Sequence, residues 1–394
     1  MRSWYFTEQS YHPAWPKVVG DIRIDPPSSL MDPHEASVLL NQYIDEWMLA
    51  DELGLDLMVN EHHASMSCMS VSCTLTLAIL ARQTKKARLV ALGIPALNRL
   101  DPFRIAEEIA YIDVMSRGRL EVGLIKGTDY ELMVSNQNAA RMNERYWEFH
   151  DVVVKALTHT GGPFSWEGEH FQYRFVNVIP RCYQQPMPPM WMPTFSPSSA
   201  REIARRDYKV ATFISGHGAK AIFDAYRDEY RKFHKREPSF DKFAYTGLVA
   251  VGPDSKTGME RGHKVAAFSQ ATDRSGQHYR NPPGFRPAAD NAKLLKTGGE
   301  VSFVRHKLPN GKMMSSPPTP EEFVQAHMLF AGNPDEVFEQ IKAFWEHVGG
   351  FGNMIVQMGG LMSAEESFDS IRLYAKEVQP RLAELVRERE KAAA

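Results

Sequence analysis

The chain has 394 residues, 43% of them hydrophobic, a formal net charge of −2 and three cysteines. That is enough apolar material for a large core, and the balanced charge excludes the polyelectrolyte bias expected of a nucleic-acid binder. Cys68, Cys73 and Cys182 are too few for a disulfide framework and lack a paired zinc spacing. The N-terminal MRSWYFTEQSYHPAW has no apolar secretory core, and no apolar run approaches the roughly 20 residues of a membrane span, so a soluble protein of the reduced cytoplasm is expected.

Trp4 to Thr7 reads as the first strand and Pro13 to Pro33 as a long proline-rich loop. A helix begins at Asp32-Pro33, an N-cap followed by proline in the first turn, and Gly54 ends it. Leu55 to Val59 forms the second strand and delivers Asn60, Glu61, His62 and His63 to its end. The paired histidines fit a metal site poorly, because neighbours on a strand point to opposite sides. A structural role for one of them and a proton-shuttling role both remain open. The following ASMSCMSVSC reads either as the wall of an adaptable apolar pocket or as core filler. Ser72 caps the next helix, to Arg82, and Ala87 to Ile94 is an apolar run suited to a strand buried on both faces.

Pro102 opens an amphipathic helix carrying Ile105, Ile109 and Ile112, stopped by Arg117-Gly118, and Leu120 to Ile125 is the fourth strand, ending in Lys126-Gly127. A helical segment from Asn138 to His159 precedes a turn-rich aromatic stretch that predicts a β-hairpin insertion at about 161–178. Met190 to Pro193, Lys209 to Ile214, Phe243 to Val251 and Asn353 to Met358 complete a set of eight strands. Helices separate them, including Pro320 to Met328, one opened by Asn333-Pro334, and a last one from Ser363 to Glu377. Strand and helix alternation of this kind predicts an α/β fold, a (β/α)8 TIM barrel with insertions, in one domain spanning 1–394. Residues 270–318 break the periodicity and are locally basic, which predicts a lid-like insertion. The string Thr194-Phe195-Ser196-Pro197-Ser198-Ser199 crosses from strand into helix. Its hydroxyls serve either as caps or, with the free N–H groups of the first turn, as a phosphate site.

Several stretches in order resemble the bacterial luciferase-like flavin monooxygenases. They are Pro102, Ala106-Glu107, Ile112-Asp113, Gly118-Arg119 and Lys126-Gly127, then NEHH at 60–63, PMWMPTFSPSSA at 189–200, GNPDEV at 332–337 and the tail 367–382. The resemblance implies a flavin site at the strand ends. Glu61 and His62 would sit beside the flavin ring, with His62 handling protons and His63 secondary. Gly93 and Ile94 would lie under the ring, and Lys126, Gly127, Thr194, Ser196 and Ser199 would hold the FMN phosphate. Two departures stand out: Lys126 replaces the family's usual arginine, and Phe195 stands where luciferase has an acid. Ile125 replaces the cysteine of light-emitting members, so luminescence is not expected.

The activity so implied is a two-component monooxygenase. Reduced FMN from a separate NAD(P)H:flavin reductase and O2 would act on a small apolar or carbonyl substrate, in a homodimer formed through the early helices. An F420-dependent oxidoreductase and a flavin-binding protein without turnover are the alternatives. No GxGxxG fingerprint for nicotinamide follows any strand, which argues against an integral Rossmann domain.

Overall fold

The computed structural model describes residues 1–272 and 308–393, together with residues 279, 282, 284, 285, 288, 291, 292, 296 and 306. The lid-like insertion expected at 270–318 therefore lies largely outside the described residues.

Eight parallel strands close on themselves: β1 (Arg2–Phe6), β2 (Asp56–Val59), β3 (Leu89–Pro95), β4 (Leu120–Ile125), β7 (Met190–Pro193), β8 (Lys209–Phe213), β9 (Phe243–Val251) and β11 (Asn353–Gln357). The ring runs β1-β2-β3-β4-β7-β8-β9-β11, and β11 pairs back onto β1 with Arg2 opposite Asn353. This is the (β/α)8 barrel that the alternation predicts. Strands β5 (Phe164–Glu167) and β6 (Gln172–Val176) form a separate antiparallel hairpin between β4 and β7.

The strands read as continuous apolar runs because both faces are covered: all seven residues of β3 and all nine of β9 are buried. Their inward side chains, Trp4, Phe6, Met58, Val90, Leu92, Trp191, Ala211, Ala244 and Ile355, fill the barrel, with Trp4 and Trp191 edge to face at 5.2 Å. At the N-terminal end of the barrel the Glu121 carboxylate takes Arg88 Nε at 2.5 Å, Trp191 Nε1 at 2.5 Å and Lys209 Nζ at 3.0 Å, so its buried charge is fully paired.

Helices cover the outer faces, and their starts follow the sequence signals. Asp32 caps α1 (Pro33–Glu52), Ser72 caps α2 (Cys73–Gln83) and Asp101 caps α3 (Pro102–Met115) through bonds to Phe103 N and Arg104 N. A single turn, α4 (Glu131–Val134), follows β4, and α5 (Met142–Thr158) precedes the hairpin. Then come α6 (Pro197–Arg205), α7 (Ala219–His234) and α8 (Ser255–Thr272). No helix among the described residues is long and apolar enough to cross a membrane.

One expectation is corrected. The helix predicted from Pro320 to Met328 ends at Gln325, and the chain then forms a ninth parallel strand, β10 (Leu329–Gly332). It pairs with the second half of β9, Leu329 opposite Leu248, on the edge where β9 outruns β8, whose pairing ends at Thr246. Helix Pro320–Gln325 and helix Pro334–His347 each begin with a capping box, from Thr319 and from Asn333, so four apolar residues between two helix signals hide the strand.

Candidate active site

At the C-terminal ends of the strands lies a cavity of about 690 Å³, within the range of a cofactor pocket. β1 and β7 stand opposite each other in the ring. The cavity thus has one wall from the ends of β1, β2 and β11, with Glu8, Asn60, His62 and Gln357, and a facing wall from β4 and β7, with Lys126, Thr194, Ser198 and Ser199.

The end of β2 carries a double lock. Glu61 is buried and accepts Arg99 Nε at 2.9 Å, Arg99 Nη2 at 2.8 Å and Cys73 N at 3.0 Å, with His63 Nε2 at 2.9 Å. Burial alone would raise its carboxyl, but His63, Arg99 and the Cys73 amide hold it below its usual range. Glu61 and His63 therefore fix the loop against α2 and the segment after β3, and Glu61 also lines the cavity.

His62 belongs to the second half of the lock. Its Nδ1 stands 3.2 Å from Glu131 Oε1, and the same oxygen accepts His63 N at 3.1 Å. The other oxygen of Glu131 takes Thr128 N at 2.8 Å and Thr128 Oγ1 at 2.7 Å. Burial by itself would push the imidazole down, but the Glu131 charge and hydrogen bond outweigh it and hold His62 above its usual value. For Glu131 burial alone would raise the carboxyl, and His62 with the Thr128 donors brings it down to about 2. Nδ1 is committed to Glu131, so Nε2 is the nitrogen that His62 offers to the cavity it lines.

Gly93 sits at a register shift between β3 and β4, beside a cis peptide joining it to Leu92. A Cβ on Gly93 would meet Gly123 O and Ile125 Cγ2 at 2.6 Å each, so only glycine lets this wall lie flat against the neighbouring strand. Gly93 and Leu92 line the cavity, whereas the Ile94 side chain is buried in the outer core between strands and helices.

On the opposite wall Lys126 donates to Asn143 Oδ1 and lies over the Tyr146 ring at 5.9 Å; burial lowers its pKa. Gly127 follows with φ of 101° and also lines the cavity. Thr194 Oγ1 accepts Ser196 N at 3.0 Å, and Ser196 Oγ accepts Ser199 N at 3.2 Å as the N-cap of α6. Ser196 is thus occupied as a cap and does not line the cavity. Ser199 does, and Ser198 joins it in place of Ser196.

The sequence reading missed Glu131, Arg23, Tyr130 and Ser198. Glu131 has no local pattern, because its partner lies 69 positions earlier in the chain. Arg23 comes from the proline-rich loop, its Nε donating to Thr272 O at 3.0 Å and its guanidinium lying 5.7 Å from the Tyr130 ring.

With this geometry in hand, comparisons place the chain among known proteins. The profile of a family described as luciferase-like monooxygenase matches residues 29–350. An uncharacterized protein of Sinorhizobium fredii is 34% identical over 200 residues, 50% of this chain and 58% of that one. The oxygenase component of a flavin-dependent trigonelline monooxygenase from Acinetobacter baylyi is 30% identical over 166 residues, 41% of this chain and 45% of that one. The chain spans about half the length of these curated relatives. Among solved structures, the monooxygenase RslO1 from Streptomyces bottropensis superposes with a TM-score of 0.71 at 20% identity, covering 97% of this chain and all of that one. The oxygenating constituent of 3,6-diketocamphane monooxygenase from Pseudomonas putida, in complex with FMN, gives 0.67 at 18% identity over 88% and 94% of the two chains. At these identities the superpositions establish the shared barrel.

Proposed function

The chain belongs to the luciferase-like monooxygenase family, and from that premise we propose that it is the oxygenase component of a two-component flavin monooxygenase. It would take reduced FMN from a separate flavin reductase and insert oxygen into a small apolar or carbonyl compound. The observation that carries the reading is the two-walled cavity, with hydroxyls, a lysine and a helix start on one side and the His62–Glu131 pair on the other.

The residues fit the cofactor. The Ser198 and Ser199 hydroxyls and the Ser198 N–H in the first turn of α6 would form an anion seat, supported by the Lys126 charge; Pro197 has no N–H and the Ser199 amide is taken by Ser196. The flat wall at Gly93, where a Cβ has no room, suits a planar ring. Reduced flavin, when bound, supplies the electrons that activate oxygen. The chain's own task is then to hold a proton at His62 Nε2, keep it there through Glu131, and exclude water with the apolar lining of Phe6, Leu92, Leu124 and Met192. Cytoplasmic action beside a reductase follows from that supply of reduced cofactor.

A homodimer completes the reading. Val71, Leu75 and Ile79 recur every four residues along and just before α2 and are exposed, as are Val38 on α1 and Tyr111, Val114 and Met115 on α3. Such a patch on adjacent helices suits a second copy of the chain.

The test uses photoreduced FMN, oxygen and a panel of aldehydes and ketones. Oxygenated product is expected. Turnover with F420 alone would replace the flavin assignment, and tight flavin binding without product from any substrate would reduce the protein to a flavin carrier.

A further inference from the structure

Away from the cavity three imidazoles from separate stretches of chain meet. His217 lies in the turn between β8 and α7, His327 just before β10, and His347 in the last turn of helix Pro334–His347. His217 Nδ1 and His347 Nε2 stand 3.2 Å apart, and His217 Nε2 is 3.3 Å from the carbonyl oxygen of Gln325. The His217 ring is edge-on to both others, with centroids 4.9 Å from His327 and 4.7 Å from His347.

A neutral imidazole has one N–H. If His217 Nε2 donates to the Gln325 carbonyl, its Nδ1 keeps a lone pair, and that lone pair faces His347. An orienting bond of this kind to a backbone carbonyl is what a metal-ligating histidine carries on its second nitrogen. Two nitrogens each about 2.0–2.1 Å from a tetrahedral zinc ion lie roughly 3.3–3.4 Å from each other, close to the spacing found here. The third ring is held nearby by its backbone: His327 N donates to Val324 O at 3.0 Å, its carbonyl accepts Tyr245 Oη at 2.7 Å, and its φ is 55°. Of the charged groups close by, Asp224 is shared between Lys220 at 2.6 Å and Arg227 at 3.1 Å.

We propose that His217 and His347, with His327 turning in as third donor, bind a divalent transition-metal ion of borderline softness such as zinc, water completing the coordination. None of the three lines the cavity. The donors come from the β8–α7 turn, the approach to β10 and the end of the following helix, so the bound ion ties the ninth strand to the barrel wall.

Tag-free protein stripped with a chelator is titrated with zinc chloride by calorimetry and followed by thermal melting. One zinc per chain and a rise in Tm are expected, since an ion bound only by the folded chain stabilises it. His217→Ala with His347→Ala abolishes both effects; the single change His347→Gln, at an exposed position, weakens them without disturbing the metal-free Tm. Among the described residues, the three side chains whose ligand atoms already converge are Glu144, Glu169 and His170, and these are bridged by Arg141. Zinc uptake that survives the histidine changes and vanishes in Glu144→Gln with Glu169→Gln overturns the proposal, as does an absence of uptake by the unmodified chain.

Discussion

A histidine held by a buried carboxylate keeps its proton to higher pH than a free one, and Glu131 does this for His62. Because the imidazole is raised, its contribution to stability is fully present below its unfolded value near 6.5 and is lost as pH rises through the folded value. Glu131 is lowered to about 2, so its contribution is present above its unfolded value near 4.5 and is lost as pH falls toward 2. The pair therefore stabilises the fold most between those limits. Glu131→Gln should lower the His62 pKa and destabilise the chain by about 3–5 kcal/mol near pH 6, read by NMR titration and urea melts. An unchanged His62 titration would separate the two residues. His62→Ala should leave affinity for reduced FMN within about twofold while raising the hydrogen peroxide released per flavin oxidised, because a group that acts on the reacting species adds little to ground-state binding. His63→Ala should act mainly on stability through Glu61. Of this site the sequence displayed the histidines but not the acid that sets the role of each, since a contact across 69 positions leaves no periodic trace.

Among the elements, the barrel strands were readable because burial on both faces writes itself as an unbroken apolar run, as in β3 and β9. Helix starts were readable because Asp32, Ser72 and Asp101 mark them with capping side chains. Strand β10 was not: it owes its existence to the free half of β9 rather than to any pattern of its own. The role of Ser196 was open for the same reason, a hydroxyl at a helix start being equally suited to capping or binding, and the structure spends it on the Ser199 amide. The join of β3 to β4 gives a sharper test. Gly93→Ala must push a Cβ toward Gly123 O, 2.6 Å away, and should destabilise the barrel by about 1–3 kcal/mol while reducing flavin affinity. A variant that melts and binds as the parent does would show that the wall adjusts.

For the molecule as a whole, the proposed dimer rests on the exposed apolar residues of α1, α2 and α3. Leu75→Glu with Ile79→Glu should give a folded monomer in light scattering, whereas a monomeric parent would remove the dimer from the account. The central claim is that the cavity at the strand ends holds reduced FMN with its phosphate at the start of α6. Anaerobic titration with photoreduced FMN and with reduced riboflavin, on the parent and on Ser198→Ala with Ser199→Ala, tests it most directly. The account predicts one FMN per chain, a loss of about 1–3 kcal/mol for FMN in the double variant, and little change for riboflavin. Equal losses for the two flavins, or no binding of either by the parent chain, would contradict it.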